Sequence, residues 1–129
     1  MLNNKGQSLV LFVIILPIIL LILEFVIDIG MTISIKSELE NISDIVLDYG
    51  LDHLDEEDLI NKMDEIVRLN KDDIDNVNLS IIDNKIYLEL NERYKGMFSS
   101  FVDISIFDIK VSYVGYMEED IKRIENLGD

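Results

Sequence analysis

The chain has 129 residues, of which 49% are hydrophobic, and its 26 acidic side chains outnumber 11 basic ones to give a formal net charge of −15. This length suffices for one small domain. Because there is no cysteine and only one histidine, His53, the sequence excludes a disulfide framework, a thiolate metal site and a histidine relay. The negative charge argues against nucleic acid as a partner, since phosphate binding requires a basic face.

An apolar segment is the first predicted element. No ionisable side chain occurs from Gly6 to Leu23, and this stretch would span about 27 Å as a helix, close to the hydrocarbon core of a bilayer. A cleaved secretory signal is disfavoured because Glu24 to Asp28, rather than small residues, follow the apolar run. A buried helix is disfavoured because so small a domain cannot surround it. We therefore predict a transmembrane helix over residues 7–30.

The charges that flank this segment predict its orientation. Lys5 precedes the apolar run, whereas Glu24, Asp28 and further acids follow it. By the positive-inside rule, the N-terminus is expected in the cytoplasm and the C-terminal part outside, in a protein that crosses the cell membrane once. Pro17 is compatible with the helix, because neighbouring helices in a membrane can satisfy the carbonyl that it leaves unbonded.

Helical periodicity continues beyond the predicted span. Apolar residues recur at three- and four-residue spacing, with acids on the other faces: Ile35, Leu39, Ile42, Val46 and Tyr49. Gly50 is predicted to end this helix as a C-cap. Residues 31–50 are thus expected to form an amphipathic extension of the transmembrane helix, with its apolar side against the remainder of the chain.

Residues 51–129 are predicted to form an extracytoplasmic α+β head. Asp55 is a predicted N-cap, and the short helix after it has an apolar face made of Leu59, Met63, Ile66 and Val67. Apolar residues alternate with polar ones on both sides of Asp83-Asn84, which predicts a β-hairpin with one buried face: Val77, Leu79 and Ile81, then Ile86, Leu88 and Leu90.

The C-terminal part predicts one more strand and a helix. The strand extends from about Ile104 to Val114, and its apolar phase changes between Ile106 and Phe107, which indicates a bulge. A short charged helix is predicted from Glu118 to Asn126. The expected fold is therefore α+β, with a long N-terminal transmembrane and amphipathic helix followed by a short helix and a small antiparallel sheet.

The N-terminal residues carry a recognisable motif. Lys5-Gly6-Gln7-Ser8-Leu9-Val10-Leu11-Phe12 is followed by Pro17 within the apolar run and by Asp28-Ile29-Gly30 at its end. A basic residue with Gly, an apolar run with Pro, and an acidic residue shortly before Gly resemble the TadE-type minor pilins (pseudopilins) of tight-adherence pilus systems. The remainder of the chain is similar to that family only in layout.

This resemblance implies processing by a prepilin peptidase. Cleavage would follow Gly6, so that residues 1–6 form a leader and Gln7 becomes the mature N-terminus. A residue without Cβ suits a bond that is extended in the protease and then begins a helix. Members of the family usually carry Glu five residues after this Gly, where the present sequence has Leu11. In pilins that Glu is thought to pair with the N-terminal amine of a neighbouring subunit.

The resemblance also implies assembly contacts along the membrane helix, at Leu11, Pro17, Glu24 and Asp28, with other pilins and membrane components of the pilus machinery. Glu24 and Asp28 lie four residues apart on one helical face. They are interpreted either as markers of the outer membrane interface or as docking groups for a basic residue of a partner helix. A calcium loop starting at Asp73 is rejected, because Asn84 would replace its bidentate Glu.

Two functions are compatible with these observations. The first is a non-enzymatic minor pilin or pseudopilin of a tight-adherence pilus or related secretion apparatus. The alternative is an unprocessed, membrane-anchored extracellular binding protein whose acidic head captures a basic ligand. In both, we expect no catalytic residue, no cofactor, no metal and no small-molecule substrate.

Overall fold

The computed structural model describes residues 4–96 and 106–128. The elements in chain order are α1 (Asn4–Asp52), α2 (Leu59–Asn70), β1 (Asn76–Ile82), β2 (Lys85–Lys95), β3 (Ile106–Glu118) and β4 (Ile121–Asn126). The four strands form one antiparallel sheet in the order β1-β2-β3-β4. The predicted α+β architecture, with a long apolar helix, a short helix and a small antiparallel sheet, is confirmed.

Helix α1 is continuous over 49 residues, about 73 Å at the usual rise per residue. In its first part the large apolar side chains from Leu9 to Leu23 are 39–64% exposed, and the helix continues through Pro17. Within the described residues, α1 is the one helix long and apolar enough to cross a membrane. The predicted segments 7–30 and 31–50 both lie within it, and residues 1–3 of the predicted leader lie outside the described residues.

The second part of α1 packs against the sheet and α2. Of the five side chains predicted for its apolar face, Tyr49 is half-buried and the other four are buried: Ile35, Leu39, Ile42 and Val46. Leu47 and Leu51, which were not predicted, are buried as well. They meet one face of the sheet, to which β2 contributes Ile86, Leu88 and Leu90. The predicted amphipathic extension therefore supplies one side of the only apolar core in the described head.

Gly50 has a different role from the predicted one. Helix α1 continues to Asp52, so the predicted C-cap at Gly50 is wrong. A Cβ atom at Gly50 would lie 2.8 Å from the Ile86 Cδ1 atom and from the Sδ and Cε atoms of Met63. Such distances are well below van der Waals contact, so glycine allows α1 to approach β2 and α2 closely at this point.

Helix α2 begins later than predicted. Its first residue is Leu59 and its N-cap is Asp58, so the predicted N-cap at Asp55 is wrong. The residues after α1 form turns instead, in which the Glu56 backbone N–H donates to the His53 carbonyl oxygen. The apolar face of α2 is confirmed, since Leu59, Met63 and Val67 are buried and Ile66 is half-buried: these are the four residues that the periodicity selected.

The first hairpin agrees with its prediction. Asp83 and Asn84 have φ angles of 53° and 64°, which form the two-residue turn that suits the twist of paired strands. Aspartate and asparagine tolerate this left-handed backbone better than most residues do. The register places Leu79 opposite Leu88 and Ile81 opposite Ile86, so the alternating apolar residues share the face that meets α1.

Strand β3 pairs with β2 without the predicted bulge. The register advances one residue at a time from the Lys95–Ile106 pair to the Ile86–Gly115 pair. The bulge at residues 106 and 107 is therefore wrong. Phe107 and Ile109 simply lie on the face that meets α1, because alternate residues of a strand share a face. Ile104, the other part of the predicted phase change, lies outside the described residues.

The predicted C-terminal helix is also wrong, because residues 121–126 form strand β4. Glu119 and Asp120 have φ angles of 51° and 64°, a second two-residue hairpin turn. Pairing with β3 then places Ile124 against the apolar core and Lys122 beside α1. These contacts involve residues distant in sequence, which local periodicity does not report.

Candidate functional site at the junction of the long helix and the head

The head meets the apolar part of α1 at a buried carboxylate. Asp28 is 2% exposed, although it lies only five residues beyond the uncharged stretch of the sequence. The hydroxyl of Tyr94, at the end of β2, donates a 3.0 Å hydrogen bond to Asp28 Oδ1. A carboxylate is stable in such a position only when hydrogen-bonded or paired. This bond therefore attaches the last strand residues of β2 to the start of the head-forming part of α1.

The surroundings of Tyr94 keep it a hydrogen-bond donor. Its ring packs against Phe107 of β3, with ring centroids 6.1 Å apart. Burial, the hydrogen bond to Asp28 and the negative charges of Asp28 and Glu24 all raise the pKa of Tyr94. A raised pKa keeps the phenol protonated over the physiological range, so Tyr94 can donate to Asp28 throughout it.

Glu24 lies one helical turn before Asp28 and is half-buried. The structure brings Glu24, Asp28 and Tyr94 together, and it places Asp28 inside the chain's own head. Whether the Glu24–Asp28 pair marks the membrane interface or contacts a partner helix stays a prediction. Tyr94 was not predicted in this role, because 66 residues separate it from Asp28 and no local pattern connects the two.

A second polar cluster surrounds Lys71, which follows α2. Its Nζ atom lies 2.9 Å from Glu38 Oε2 on α1, 3.3 Å from Asp73 Oδ1 and 3.3 Å from Glu92 Oε1 on β2. Partial burial disfavours the charge of Lys71, but the three carboxylates outweigh it and raise the pKa of Lys71. Glu92 is buried, and this burial raises the pKa of Glu92 against the opposing effect of Lys71. The cluster joins α1, the end of α2 and the sheet.

A third polar contact joins β4 to α1 near the far end of the head. Lys122 Nζ lies 2.9 Å from Asp48 Oδ1 and 2.8 Å from Asp52 Oδ2. Its hydrogen bonds to Asp52 and Asp48 raise the pKa of Lys122. All three side chains are substantially exposed, so solvent screening limits what this contact contributes to stability.

The other predicted site residues lie far from this junction, in the exposed first part of α1. Gln7 and Leu11 are exposed, and Pro17 lies in the middle of the apolar stretch. Leu11 and Glu24 are separated by about 20 Å along the helix axis. Gly6 and Gln7 are helical here, so a protease that binds the bond between them in an extended form must first unwind the start of α1.

Metal-ligating side chains do not cluster in the described ranges. No group of three or more His, Cys, Asp or Glu side chains in residues 4–96 and 106–128 could hold a metal ion. His53 stacks on Tyr49, with ring centroids 4.1 Å apart, and its Nδ1 atom lies 2.7 Å from the Tyr49 carbonyl oxygen. The ring of this histidine therefore packs against the last turn of α1.

Comparison of the chain with protein-family models, with curated proteins and with solved structures finds no match. A functional conclusion therefore depends on the residues and the geometry described above.

Proposed function

We propose that this chain is a minor pilin or pseudopilin of a tight-adherence pilus or related secretion apparatus, acting in pilus assembly without enzymatic activity. The observation that carries the proposal is the division of α1. Its first part exposes apolar side chains on all sides, and its second part forms one side of the head core. A helix of this kind can anchor a subunit in a bilayer, pack beside other membrane helices and hold its head at a fixed position.

The charges around α1 support a topology for this subunit. Lys5 precedes the apolar stretch, and the acids follow it, so the N-terminus is cytoplasmic and the head extracytoplasmic. The Tyr94–Asp28 hydrogen bond lies close to the end of the apolar stretch, which suits a head that begins at the membrane surface, and the orientation of the chain rests on the flanking charges alone. The partners are other pilins, membrane components of the pilus machinery and a prepilin peptidase.

Processing gives the sharpest test of this proposal. Co-expression with the cognate peptidase should remove residues 1–6, and Gly6→Val should block the removal, because a β-branched side chain cannot adopt the backbone freedom of glycine. Gly30→Val is the matched control. A Cβ atom at Gly30 meets nothing within 4 Å, so this variant should be cleaved normally. The measurement is the intact mass of the membrane-extracted chain.

Retention of Met1 in cells with an active peptidase would contradict the pilin proposal. The chain would then be an uncleaved, membrane-anchored protein, and its acidic head would be tested for capture of a basic ligand. Removal of residues 1–6 from the Gly6→Val variant would mean that cleavage does not depend on Gly6. That result would also contradict the proposal.

A further inference from the structure

The two edge strands of the sheet differ in how well they are protected against pairing. Within the described residues, β1 and β4 each pair with one strand only, so each has a free edge. Charged residues and proline on an edge strand are common means of preventing it from pairing with another chain. Strand β4 carries Lys122, Arg123 and Glu125, whereas the seven residues of β1 include neither a charged residue nor proline. The free edge of β1 is therefore open to a further strand.

The backbone groups at the free edge of β1 belong to Val77, Leu79 and Ile81. The carbonyl oxygen of Asn91 on β2 accepts a hydrogen bond from the Asp75 N–H, so the backbone groups of Asn91 point towards β1. These groups alternate in direction along an antiparallel strand, and the register then leaves every second residue of β1 pointing outward. The side chains of the three outward residues are half-buried and pack against the core.

The free edge of β4 has the same construction. The Leu127 N–H donates to the Ser112 carbonyl oxygen on β3, so the alternate residues that point outward are Lys122, Ile124 and Asn126. Lys122 contacts α1 and Ile124 packs against the core, which places this set of side chains on the face covered by the helices. On both edges, the outward backbone groups thus belong to residues whose side chains lie on that face.

The direction of α1 determines which edges can meet. Tyr94 contacts Asp28 and Ile86 approaches Gly50, so α1 is antiparallel to β2 and has the same direction as β1. Antiparallel pairing of two β1 strands, or of two β4 strands, would point the two α1 helices in opposite directions. Parallel pairing of two β1 strands would place these helices on opposite faces of the joined sheet. When copies share the direction of α1, as in one membrane, and keep α1 on one face, β1 of one copy is antiparallel to β4 of the next.

We propose that β1 pairs antiparallel with β4 of a second copy of this chain, with Leu79 opposite Ile124 of the neighbour, so that adjacent heads share one continuous sheet. This inference rests on the membrane insertion of α1 in the proposed function, because a common membrane aligns the copies. In this register each outward backbone group of β1 meets one of β4. On the other face of the sheet, Ile82 lies opposite Ile121 of the neighbour. These side chains are 57% and 54% exposed in the single chain, and the pairing covers both.

The helices of the head fit such a continuous sheet. Helix α1 packs on β2, β3 and β4, and α2 packs on α1 and β1. Four strands are about 19 Å wide, so two helices over each head lie on average about 9.5 Å apart, within the range of about 8–10 Å for packed helices. Ile45 is 50% exposed and lies on the same side of α1 as Asp48 and Asp52, which contact Lys122 of β4. In the continuous sheet, α2 of the neighbour covers this side of α1.

Charge opposes the contact, although the paired strands add little repulsion. Residues 31–129 carry 24 acids and 10 bases, so two heads repel each other. Strand β1 is uncharged, and β4 has two bases and one acid. Asp83 and Asp120 of the neighbour come close at the tips of their turns, where both are exposed and salt screens them. Backbone hydrogen bonds and apolar pairs therefore stabilise the contact, and added salt should favour it.

The test uses the full chain in phosphatidylcholine vesicles and takes advantage of its lack of cysteine. Ser80 and Arg123 are exposed, and in the proposed register they form a non-hydrogen-bonded pair between copies, with Cβ atoms about 5 Å apart. Within one chain, β2 and β3 lie between these positions and separate them by about 14 Å, too far for a disulfide. A chain with both Ser80→Cys and Arg123→Cys should therefore form disulfides between copies when oxidised with copper phenanthroline.

The products of this oxidation report the kind of contact. Because the two edges differ, the contact repeats from copy to copy, and non-reducing gels should show a ladder of dimers, trimers and larger products. The ladder should strengthen with salt, which screens the acidic heads. Each single-cysteine chain alone should give no ladder, and a mixture of the two should stop at dimers.

Two variants isolate the register and the edge. Ser80→Cys with Leu127→Cys is the matched control, because Leu127 is as exposed as Arg123 and continues the same edge about 13 Å away, so the yield should fall about tenfold. Leu79→Pro in the double-cysteine chain removes an outward N–H and leaves the hydrogen bonds to β2 intact, so it should suppress the ladder. The cross-links of the chain with Leu79 test the inference independently of whether the proline variant folds.

A yield no higher than that of the Leu127 control would overturn the inference. Products that stop at the dimer would overturn it too, since they indicate a two-fold contact, and a ladder that weakens with salt would indicate an ionic one. Flotation with the vesicles at high salt separates these failures from that of the proposed function. A chain that does not float overturns the membrane anchoring and the alignment on which the pairing rests. A chain that floats without a ladder overturns the pairing alone.

Discussion

Two buried carboxylates, Asp28 and Glu92, are accommodated in the head by different chemistry. Asp28 accepts a hydrogen bond from the neutral hydroxyl of Tyr94, whereas Glu92 lies beside the ammonium group of Lys71. A buried acid that loses such a partner retains the cost of its desolvation. Substitutions at the two partners should therefore destabilise the head more than comparable changes at exposed polar contacts.

The Tyr94–Asp28 bond predicts the effect of removing one hydroxyl. Tyr94→Phe should lower the free energy of unfolding by about 1–3 kcal/mol, because it leaves Asp28 buried without this donor. Tyr116→Phe is the matched control, since the Tyr116 hydroxyl bonds to Glu125 on the exposed face of the sheet, and its effect should stay below about 0.5 kcal/mol. Denaturant unfolding of the detergent-solubilised chain, followed by circular dichroism, measures both.

The pH dependence of the same pair has a definite sign. The pKa of Tyr94 is raised in the folded chain. The protonated hydroxyl therefore contributes fully to the free energy of unfolding at any pH below the pKa of tyrosine in the unfolded chain, about 10. The contribution is lost as the pH increases through the folded pKa. The difference in stability between the unmodified chain and Tyr94→Phe should therefore shrink above pH 10. A difference that stays constant there would contradict the hydrogen bond as its cause.

The Lys71 cluster predicts a larger effect that depends on pH. Lys71→Met should cost about 3–5 kcal/mol at pH 7, because Glu92 then stays buried as an unpaired charge. Lys122→Met removes a lysine that also lies between carboxylates but is more exposed, and it should cost at most about 1 kcal/mol. Denaturant unfolding of both variants is the measurement.

Acidification should reverse part of the Lys71→Met defect. Burial already raises the pKa of Glu92, and loss of Lys71 removes the group that opposes this shift. When the pKa of a carboxyl group is higher in the folded chain than its value of about 4.3 in the unfolded chain, the group stabilises the folded state at low pH. This contribution to the free energy of unfolding is lost as the pH increases through the folded pKa. The Lys71→Met defect should thus be smaller at pH 5 than at pH 7. An equal defect at both values would mean that lost packing, rather than buried charge, destabilises the variant.

At the scale of the elements, the head depends on the second part of α1. A fragment of residues 31–129 retains the apolar side chains of α1 that cover the sheet and should unfold cooperatively. A fragment of residues 51–129 exposes the buried face of β2 and β3 and should be less stable or molten. Thermal melts followed by near-ultraviolet circular dichroism compare them. Equal melting temperatures would show that α1 is dispensable for the core.

Elements defined by local patterns were predictable from the sequence. The face of α2 with Met63 and Val67 follows from helical periodicity, and the first hairpin follows from alternation around Asp83-Asn84. The core face of α1 follows in the same way. In each case the spacing of the apolar residues predicts whether the segment is a helix or a strand. The same spacing predicts which of its faces is buried.

Two of the errors occur where distant residues decide the conformation. Residues 121–126 are rich in charge and carry no strong strand pattern, yet pairing with β3 and the contact of Lys122 with α1 make them a strand. Glycine is typical of a helix C-cap, which is why the helix was predicted to end at Gly50. In the structure Gly50 lies within α1, where the close approach of Met63 and Ile86 accounts for a residue without a side chain. The junction site was predicted only in part, because sequence identifies Asp28 as unusual without revealing Tyr94 as its donor.

At the scale of the whole molecule, α1 has two parts with different surroundings. The part before Asp28 exposes apolar side chains on all sides, and the part from Ile35 onward buries one face against the head. Two contacts attach β2 to α1. The Tyr94–Asp28 hydrogen bond lies at the start of the head, and the Lys71 cluster joins Glu92 to Glu38 farther along α1. These contacts attach the head to α1 at two levels, as the proposed role of a subunit that assembles through its N-terminal helix requires.

Leu11 and Glu24 lie in the part of α1 that we propose to be inserted in the membrane, and substitutions at the two positions distinguish two modes of assembly. If pilus incorporation requires the carboxylate that the resemblance places at position 11, Leu11→Glu should increase recovery of the chain in sheared pilus fractions without changing its membrane level. The new carboxylate would lie in the bilayer, where an unpaired charge costs on the order of 2 to 3 kcal/mol on insertion scales. Pairing with the amine of a neighbouring subunit offsets this cost, so the gain should occur only in a filament.

Glu24 provides the competing explanation, because it lies about 20 Å farther along α1, at the junction with the head. If Glu24 supplies the lateral contact, Glu24→Gln should reduce co-purification with the other membrane components, and Leu11→Glu should have little effect. Gln has nearly the same size as Glu, so a loss in this variant reports the charge rather than the packing. If both substitutions leave assembly and co-purification unchanged, α1 serves only as a tether, and an anchored acidic binding head becomes the better description of the protein.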